Sequence, residues 1–229
     1  GNSYDQSALD EGIAEAAWSY SAGVLTLSGY SGDEIEFDGA LSVTLASGKS
    51  NSAKHVYATG SLALSGGGSL NAGQGLGSDS NIHINCDIIA NFIGAGGSIF
   101  FAGGTVQAKS VQADGDIAVE GGAITASSGE DVGLGCANFK MKAGELKATA
   151  ALYGMLCESM VIEGGTVYAS GETGIYTLRL TVSGGKLSSY ACYISTSEHP
   201  IAILAESFTS NGGTVYADAD VSNTGASYA

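Results

Sequence analysis

Residues 160–169, MVIEGGTVYA, alternate apolar and polar side chains on both sides of the glycine pair Gly164-Gly165. Alternation with a period of two is typical of a β-strand that buries one of its faces. Glycine adopts backbone conformations, and allows close approaches, that exclude a side chain. The stretch therefore predicts two short strands joined at a tight corner.

The same pattern recurs along most of the chain. It is seen in residues 61–70 (SLALSGGGSL), 98–108 (SIFFAGGTVQA), 116–126 (DIAVEGGAITA), 139–148 (FKMKAGELKA), 180–189 (LTVSGGKLSS) and 208–217 (FTSNGGTVYA). We take the second glycine, or its substitute, as the reference position, which gives Gly67, Asp87, Gly104, Gly122, Gly144, Gly165, Gly185 and Gly213. Most of these positions follow one another at nearly constant spacing, and the step from Gly185 to Gly213 is the longest. A regular repeat of roughly 20 residues indicates a solenoid.

A third strand is visible in three of the repeats. Residues 133–136 (GLGC), 154–157 (GMLC) and 174–177 (GIYT) each begin eleven residues before the next reference glycine. Three strands and three corners per repeat predict an all-β fold, a single-stranded right-handed parallel β-helix of roughly 45 Å. The alternative, a β-sandwich, does not explain strands in register at a spacing of about 20 residues.

The predicted organisation is one domain over residues 1–229. Residues 1–39 are expected to form an N-terminal cap and the first coil, residues 40–220 the regular coils, and residues 221–229 a C-terminal tail. In the cap, residues 7–10 (SALD) suit the start of a short helix, and the segment from Trp18 onward is interpreted as a strand that enters the first coils.

Charge excludes several classes of partner. The chain of 229 residues has 8 Lys+Arg against 23 Asp+Glu, which gives a net charge of −15. Such a chain presents no basic surface, so we expect neither nucleic acid nor an anionic membrane surface as a partner. No apolar run approaches the ~18 residues that a membrane span needs, which predicts no membrane insertion.

Three motifs carry a resemblance to a known family. They are W-x-Y-x-x-G-x-L-T-L at 18–27, V-T-L at 43–45 and T-G-x-L-x-L-x-G-G-G-x-L at 59–70, followed by repeated GGTVxA units. The chain resembles the secreted bacterial β-helix proteins labelled carbohydrate-binding domain-containing proteins, over roughly residues 18–220. The resemblance implies a right-handed β-helix at the cell surface that tolerates or binds calcium, and some members are associated with acidic plant polysaccharide. The third strands depart from the G-I-G of several members, which puts any role of that pattern in question.

Tyrosines are the candidate ligand-binding residues. The third position after each reference glycine points outward and is Gln107, Thr125, Lys147, Tyr168, Ser188 and Tyr216 in successive repeats. Tyrosine presents a flat apolar ring with a polar tip, which suits a sugar ring, although tyrosine is also simply a good strand residue. The last spacing is the longest and predicts a loop at 194–201 with the only proline, and loops on a rigid scaffold often carry binding. The predicted ligand-binding set is Tyr168, Tyr190, Tyr193, Tyr216, Glu198 and His199.

Calcium is the one candidate cofactor. Several acidic pairs occur at predicted corners, and Ca²⁺ takes six to eight oxygen ligands. Asp114 and Asp116, in the short repeat between Gly104 and Gly122, are the preferred metal ligands, with a solvated acidic surface as the alternative. No established calcium-loop motif is present.

Catalysis is not expected. A lyase of the pectate-lyase type needs a cationic base beside carboxylates, but the only arginine, Arg179, has Ser159, Asn138 and Asp116 as its predicted column. Glu120 and Glu163 share a face with Lys142 between them, which predicts a ladder of alternating charge rather than a pair of catalytic carboxylates. Cys136 and Cys157 fall at the same place in consecutive repeats, where stacked free thiols are favoured over a disulfide.

The sequence therefore predicts a non-catalytic extracellular module that binds a polysaccharide or a host or matrix glycan, or acts in adhesion, with or without calcium. We expect it to be secreted or displayed on the cell surface. A passive stalk is the first alternative, and a polysaccharide lyase is the second.

Overall fold

The described part of the chain is an all-β solenoid. The structure is a computed structural model, and it describes residues 17–192 and 200–220. Within these residues there are nineteen strands and no helix. The predicted helix near residues 7–10, the predicted tail at 221–229 and most of the predicted loop at 194–201 lie outside the described residues.

The strands of the N-terminal half are β1 (Trp18–Ser21), β2 (Val24–Leu27), β3 (Glu34–Phe37), β4 (Leu41–Leu45), β5 (Ser50–Ala58), β6 (Leu62–Ser78), β7 (Ile82–Ala95), β8 (Ile99–Gly103) and β9 (Thr105–Ala113). Those of the C-terminal half are β10 (Ile117–Val119), β11 (Ala123–Ser127), β12 (Val132–Met141), β13 (Glu145–Thr149), β14 (Tyr153–Ile162), β15 (Thr166–Gly171), β16 (Thr173–Val182), β17 (Lys186–Cys192), β18 (Ile201–Ser210) and β19 (Thr214–Asp220). The longer strands run around a corner and contribute to two or three faces of the coil.

Each coil has three faces, as predicted. The first face precedes the glycine corner, the second follows it, and the third leads back to the next coil. On the first face the predicted register is confirmed by the parallel partners Leu62, Ile82, Ile99, Ile117, Phe139, Met160, Leu180 and Phe208. On the third face Leu134 pairs with Met155 and Met155 with Ile175, which confirms the third strand. The solenoid has about eight turns.

The core is a stack of inward apolar side chains. From Leu62 to Leu180 the first-face partners are at most 1% exposed. The last partner, Phe208, is 53% exposed because it lies in the final described coil. Buried apolar surface contributes roughly 25 cal/mol per Å², so every coil is stabilised mainly by contact with its two neighbours.

The glycine corners require glycine for two reasons. Gly144 and Gly165 have φ of +87° and +73°, in the left-handed region. A Cβ atom on Gly144 would lie 2.5 Å from the carbonyl oxygen of Gly122 in the preceding coil. Conformation and the coil spacing therefore both exclude a side chain.

Two of the predicted reference positions are wrong by one residue. Asp87 pairs with Ser69, and its Oδ1 accepts a hydrogen bond from the Thr105 amide at 2.8 Å, so Asp87 aligns with the residue after Gly104. In the coil before it the positive φ belongs to Gly66, at +113°, rather than to Gly67. From the first face to the second, the chain runs from Leu62 to Leu70, one residue more than from Ile99 to Val106, whereas it runs from Ile82 to Ile88, one residue fewer. Both changes fall in the corner that follows the first face, so the register of the first face is not affected.

The N-terminal end is covered by a hairpin. β1 pairs antiparallel with β2, from Trp18 opposite Leu27 to Ser21 opposite Val24. Ala22 and Gly23 form the turn with φ of +50° and +81°. Two positive φ values at a two-residue turn are typical of type I′, whose twist matches a hairpin. The segment from Trp18 therefore folds back on the first coil instead of entering it directly.

The described residues include no helix long and apolar enough to cross a membrane.

The four cysteines are free thiols. Cys136 and Cys157 are parallel partners, and their Sγ atoms lie 3.4 Å apart. The hydrogen bond between the two thiols and burial both raise the pKa of Cys157. Burial raises the pKa of Cys86 to about 12. The thiols of Cys157 and Cys86 are therefore protonated and unreactive at neutral pH.

Candidate functional site

Three tyrosines from consecutive coils form a continuous strip on the second face, here called the tyrosine strip. Tyr168 lies on β15, Tyr190 on β17 and Tyr216 on β19. The ring centroids of Tyr168 and Tyr190 are 5.1 Å apart, and those of Tyr190 and Tyr216 are 5.5 Å apart. The interplanar angles are 31° and 47°, so each ring is tilted against the next. The structure thus brings together the three described tyrosines of the predicted ligand-binding set.

The strip arises from the coil register. Tyr168, Ser188 and Tyr216 are successive partners in one outward column, while Tyr190 pairs with Ser170 in the column beside it. Ser188 is small, and the ring of Tyr190 contacts both neighbouring rings across the space that this serine leaves. Ser188 is only 7% exposed although it belongs to an outward column. A larger residue at position 188 would separate the rings.

The two ends of the strip carry opposite charges. At one end Nζ of Lys147 lies 5.7 Å from the ring centroid of Tyr168, within the range of a cation–π contact. At the other end the Tyr216 hydroxyl donates to Oδ2 of Asp218 at 3.1 Å. This hydrogen bond raises the pKa of Tyr216, and the hydroxyl stays protonated at neutral pH. The strip therefore offers apolar ring faces, three hydroxyl groups and no strong net charge.

Three of the predicted ligand-binding residues, Tyr193, Glu198 and His199, lie outside the described residues. The described strand before them, β17, carries Tyr190 and ends at Cys192 on the second face. The described strand after them, β18, begins at Ile201 on the third face.

The two predicted metal ligands have different surroundings. Oδ1 of Asp116 accepts a hydrogen bond from Nδ2 of Asn138 at 2.7 Å, and its amide donates to Oγ of Ser98 at 3.0 Å. Asp114 lines a groove on the third face. Nowhere in residues 17–192 and 200–220 do three or more His, Cys, Asp or Glu side chains converge as a metal would require. These two aspartates alone do not supply the six to eight oxygens of a calcium site, so calcium binding stays a prediction.

The predicted charge ladder is two separate ion pairs. Nζ of Lys142 lies 2.6 Å from Oε1 of Glu120, but Glu163 pairs with Lys140, also at 2.6 Å. Lys140 lies on β12, two residues before Lys142, and reaches the carboxylate of the following coil. The pair lowers the pKa of Glu120 and raises that of Lys142 through their hydrogen bond and opposite charges. Each described carboxylate of the predicted ladder therefore has its own lysine.

Arg179 has serine on both sides. Its parallel partners are Ser159 on β14 and Ser207 on β18, and Ser159 was predicted from the spacing. Asp116 lies further along this column and is engaged with Asn138. The chemistry of a lyase needs a carboxylate-held cation beside the base, and the coils next to Arg179 supply hydroxyl groups instead.

The sequence interpretation missed a groove on the third face. Tyr57, Gly77 and Gly94 are successive partners in an outward column, followed by Gln112. Two glycines in succession leave bare backbone between larger side chains. The signal was present, since residues 75–77 (GLG) and Gly94 place glycine at alternate positions of a strand rather than at a corner.

No protein-family model, curated protein or solved structure matches the chain in sequence or fold comparison.

Proposed function

We propose that this protein is a non-catalytic glycan-binding module, and that the tyrosine strip is a surface on which sugar rings stack. The observation that carries the proposal is the contact of Tyr168, Tyr190 and Tyr216 in three successive coils, with centroid separations of 5.1 and 5.5 Å. Aromatic faces stack on the C–H faces of pyranose rings, while the phenol hydroxyls bond to sugar hydroxyls.

The spacing of the strip suits a polymer. Successive coils are separated by the ~4.8 Å of neighbouring β-strands, and one pyranose unit advances a chain by a similar length. Rings contributed by successive coils can therefore meet successive sugars of one chain. An isolated tyrosine would contact a single sugar, and the three together give a more extended surface.

The net charge of the chain and the charges beside the tyrosine strip favour an uncharged glycan over an acidic one. The chain carries −15, which repels an acidic polysaccharide at a distance. Lys147 is the cation at the strip, and Asp218 balances it at the opposite end. Binding of an acidic glycan would need a bridging cation, for which Asp114 and Asp116 are the predicted ligands. Display of the module outside the cell, as a secreted or surface protein, is part of the same proposal.

The test is affinity for soluble oligosaccharides measured by isothermal titration calorimetry, with cellohexaose, xylohexaose and mannohexaose as uncharged probes and oligogalacturonate as the anionic probe. The variant replaces Tyr168, Tyr190 and Tyr216 by alanine. We expect the affinity of the strip for the uncharged probe to fall at least about tenfold, because hot-spot aromatics carry most of an interface's affinity.

The matched control replaces Tyr153 and Tyr176, another pair in ring contact at 5.9 Å, by alanine. This pair lies on the third face, so its loss should leave affinity at the strip unchanged. Equal loss from the two variants would contradict the assignment of the strip. Absence of binding by the native protein to every probe would favour a passive stalk.

A further inference from the structure

The third face carries a groove whose shape differs from the rest of the surface. It has a volume of about 490 Å³, and its lining includes several glycines together with the side chains of His55, Tyr57, Gln74, Phe92, Gln112 and Asp114. This volume is within the range of pockets that bind small ligands. The groove lies on a different face from the tyrosine strip, and none of its residues belongs to the predicted ligand-binding set.

The rings of Tyr57 and Phe92 lie over two glycines of the groove. A Cβ atom on Gly77 would be 2.8 Å from Cδ2 of Tyr57, so the Tyr57 ring covers this glycine. A Cβ atom on Gly94 would collide with Cε1 of Phe92, so the Phe92 ring covers Gly94 in the same way. Neither glycine has a positive φ. At these positions glycine makes room for a ring and is not required by the backbone.

The rings are held differently. The Tyr57 hydroxyl donates a hydrogen bond to Oδ1 of Asp79, which raises the pKa of the phenol and fixes the ring. The His55 ring is stacked on that of Tyr57, with centroids 5.9 Å apart. Phe92 is 42% exposed and presents an apolar ring to the groove. The groove therefore has one ring that is held by a hydrogen bond, Tyr57, and one exposed apolar ring, Phe92.

The groove continues along the rod. A second depression of about 390 Å³ shares Gln112 and Asp114 with the first and has Gly135 in its floor. Gly135 is the partner of Gln112 in the next coil, so the floor column is Tyr57, Gly77, Gly94, Gln112 and Gly135. Five coils at ~4.8 Å span roughly 19 Å. A trough of this length suits a chain of several sugar rings better than a single small molecule.

The polar groups of the trough are hydrogen-bonding and acidic. Gln74, Gln112 and His55 offer hydrogen-bonding groups, and Asp114 and Glu158 offer carboxylates. No lysine or arginine is among the residues that line either depression, all of which are described. Carboxylates accept hydrogen bonds from sugar hydroxyls and repel a uronate, which selects against acidic polymers.

We infer that this trough is a second glycan-binding site, specific for an uncharged oligosaccharide that stacks on Phe92 and Tyr57 and bonds to Gln112 and Asp114. It rests on the proposed function and deepens it, because one rod then holds two glycan surfaces on different faces. Occupation of both by one polymer would raise the overall affinity by avidity.

The test replaces Phe92 by alanine and titrates the full chain with cellohexaose, xylohexaose and mannohexaose, measured by calorimetry. The matched control is Ile89→Ala, because Ile89 is also a large exposed apolar residue, 52% exposed, and does not line the trough. We expect Phe92→Ala to weaken the trough site about tenfold, and Ile89→Ala to leave it unchanged. Equal affinities for the two variants would overturn the inference.

A second variant tests the floor without removing a ring. Gly94→Ser adds a side chain that forces the Phe92 ring away, whereas Gly73→Ser places the same side chain where the nearest atom, the Ala53 carbonyl oxygen, is 4.0 Å away. We expect Gly94→Ser to weaken binding and Gly73→Ser to preserve it, with both melting temperatures close to that of the native protein. Preserved binding by Gly94→Ser would contradict the role of the floor.

The two sites can be separated in one experiment. In a background with Tyr168, Tyr190 and Tyr216 replaced by alanine, the trough should still bind the uncharged probe, and adding Phe92→Ala should remove that binding. If the background alone binds nothing while the native protein binds, the trough is overturned and the strip is retained. If Phe92→Ala alone removes all binding, the strip is overturned and the trough is retained.

Discussion

The second face of the C-terminal coils and the third face of the N-terminal coils form their surfaces in opposite ways. On the second face, Tyr168, Tyr190 and Tyr216 fill outward positions and form a strip of rings in contact. On the third face, Gly77 and Gly94 have no side chain of their own, and the rings of Tyr57 and Phe92 lie over them. The strands are in parallel register in both regions. On a solenoid, the size of the side chains in an outward column therefore decides the shape of the surface.

Glycine has two separate structural roles in this chain. At the corners, as at Gly144, glycine meets a positive φ and a carbonyl oxygen of the preceding coil, so the fold depends on it. On the third face, as at Gly135, the nearest atom to an added Cβ is 3.5 Å away, and the fold does not depend on it. An added methyl group should therefore have different consequences at the two kinds of position.

The largest expected effect comes from adding one methyl group at a corner. Gly144→Ala places a Cβ 2.5 Å from the Gly122 carbonyl oxygen in a left-handed conformation, and we expect a loss of about 3 kcal/mol in the free energy of unfolding. Gly135→Ala adds the same group on the third face and should change it by no more than about 0.5 kcal/mol. Urea unfolding followed by circular dichroism measures both, and equal losses would contradict the distinction.

Thiol labelling distinguishes the exposed cysteine of the second face from the buried cysteines. Cys192, on β17 of the second face, is exposed and should react first with a thiol reagent at pH 8. Cys157, behind the third face, is buried, and the Cys136 hydrogen bond raises its pKa, so it should react only after unfolding. Cys86 should behave like Cys157, since its pKa of about 12 leaves little thiolate at this pH. Rapid reaction of all four thiols would contradict the burial of these two.

The middle ring of the strip should matter more than either end. Tyr190 contacts both Tyr168 and Tyr216, so Tyr190→Ala should reduce affinity for an uncharged glycan more than Tyr168→Ala does. Tyr190→Phe keeps the stacking face and should retain most of the affinity. Calorimetry with cellohexaose provides the comparison. If Tyr190→Phe binds as weakly as Tyr190→Ala, the hydroxyl group and not the stacking face provides the affinity.

The smallest effect is expected from the ion pairs of the first face, which serve as the reference for a surface without a binding role. Lys142 lowers the pKa of Glu120, so the pair stabilises the fold above the carboxylate's ordinary value of 4.5 and ceases to do so as the pH falls through the lowered value. Both groups are exposed and screened by solvent. Glu120→Gln should therefore change the melting temperature at pH 7 only slightly, with the difference vanishing at acidic pH, as differential scanning calorimetry would show.

The repeat spacing predicted most of the fold because a solenoid ties each coil to the next. Even the irregular repeats placed Ile99 beside Ile117 and Leu180 beside Phe208. The shifts at Gly67 and Asp87 were missed because the repeats were aligned on the first face, and both one-residue changes fall in the corners that follow it. The hairpin of β1 was missed because Ala22 takes the place of the Asn or Asp usual in such a turn.

The candidate sites were predicted less completely. The column that holds Tyr168 and Tyr216 followed from the spacing, but the contact of Tyr190 with both rings depends on the small side chain of Ser188. The ion partner of Glu163 could not be read from its column, since a lysine side chain reaches diagonally to the next coil. The shape of the groove depends on the orientation of the Tyr57 and Phe92 rings. This orientation is set by packing within the coils and does not follow from the repeat spacing.

Binding of uncharged glycans without catalysis and without a bridging cation is best tested by a glycan array, probed with the full chain in calcium and again in chelator. We expect the same retention on uncharged glycans in both conditions, with the bound glycan recovered intact. Retention only on acidic glycans that disappears in chelator, or no retention in either condition, would contradict the proposed function.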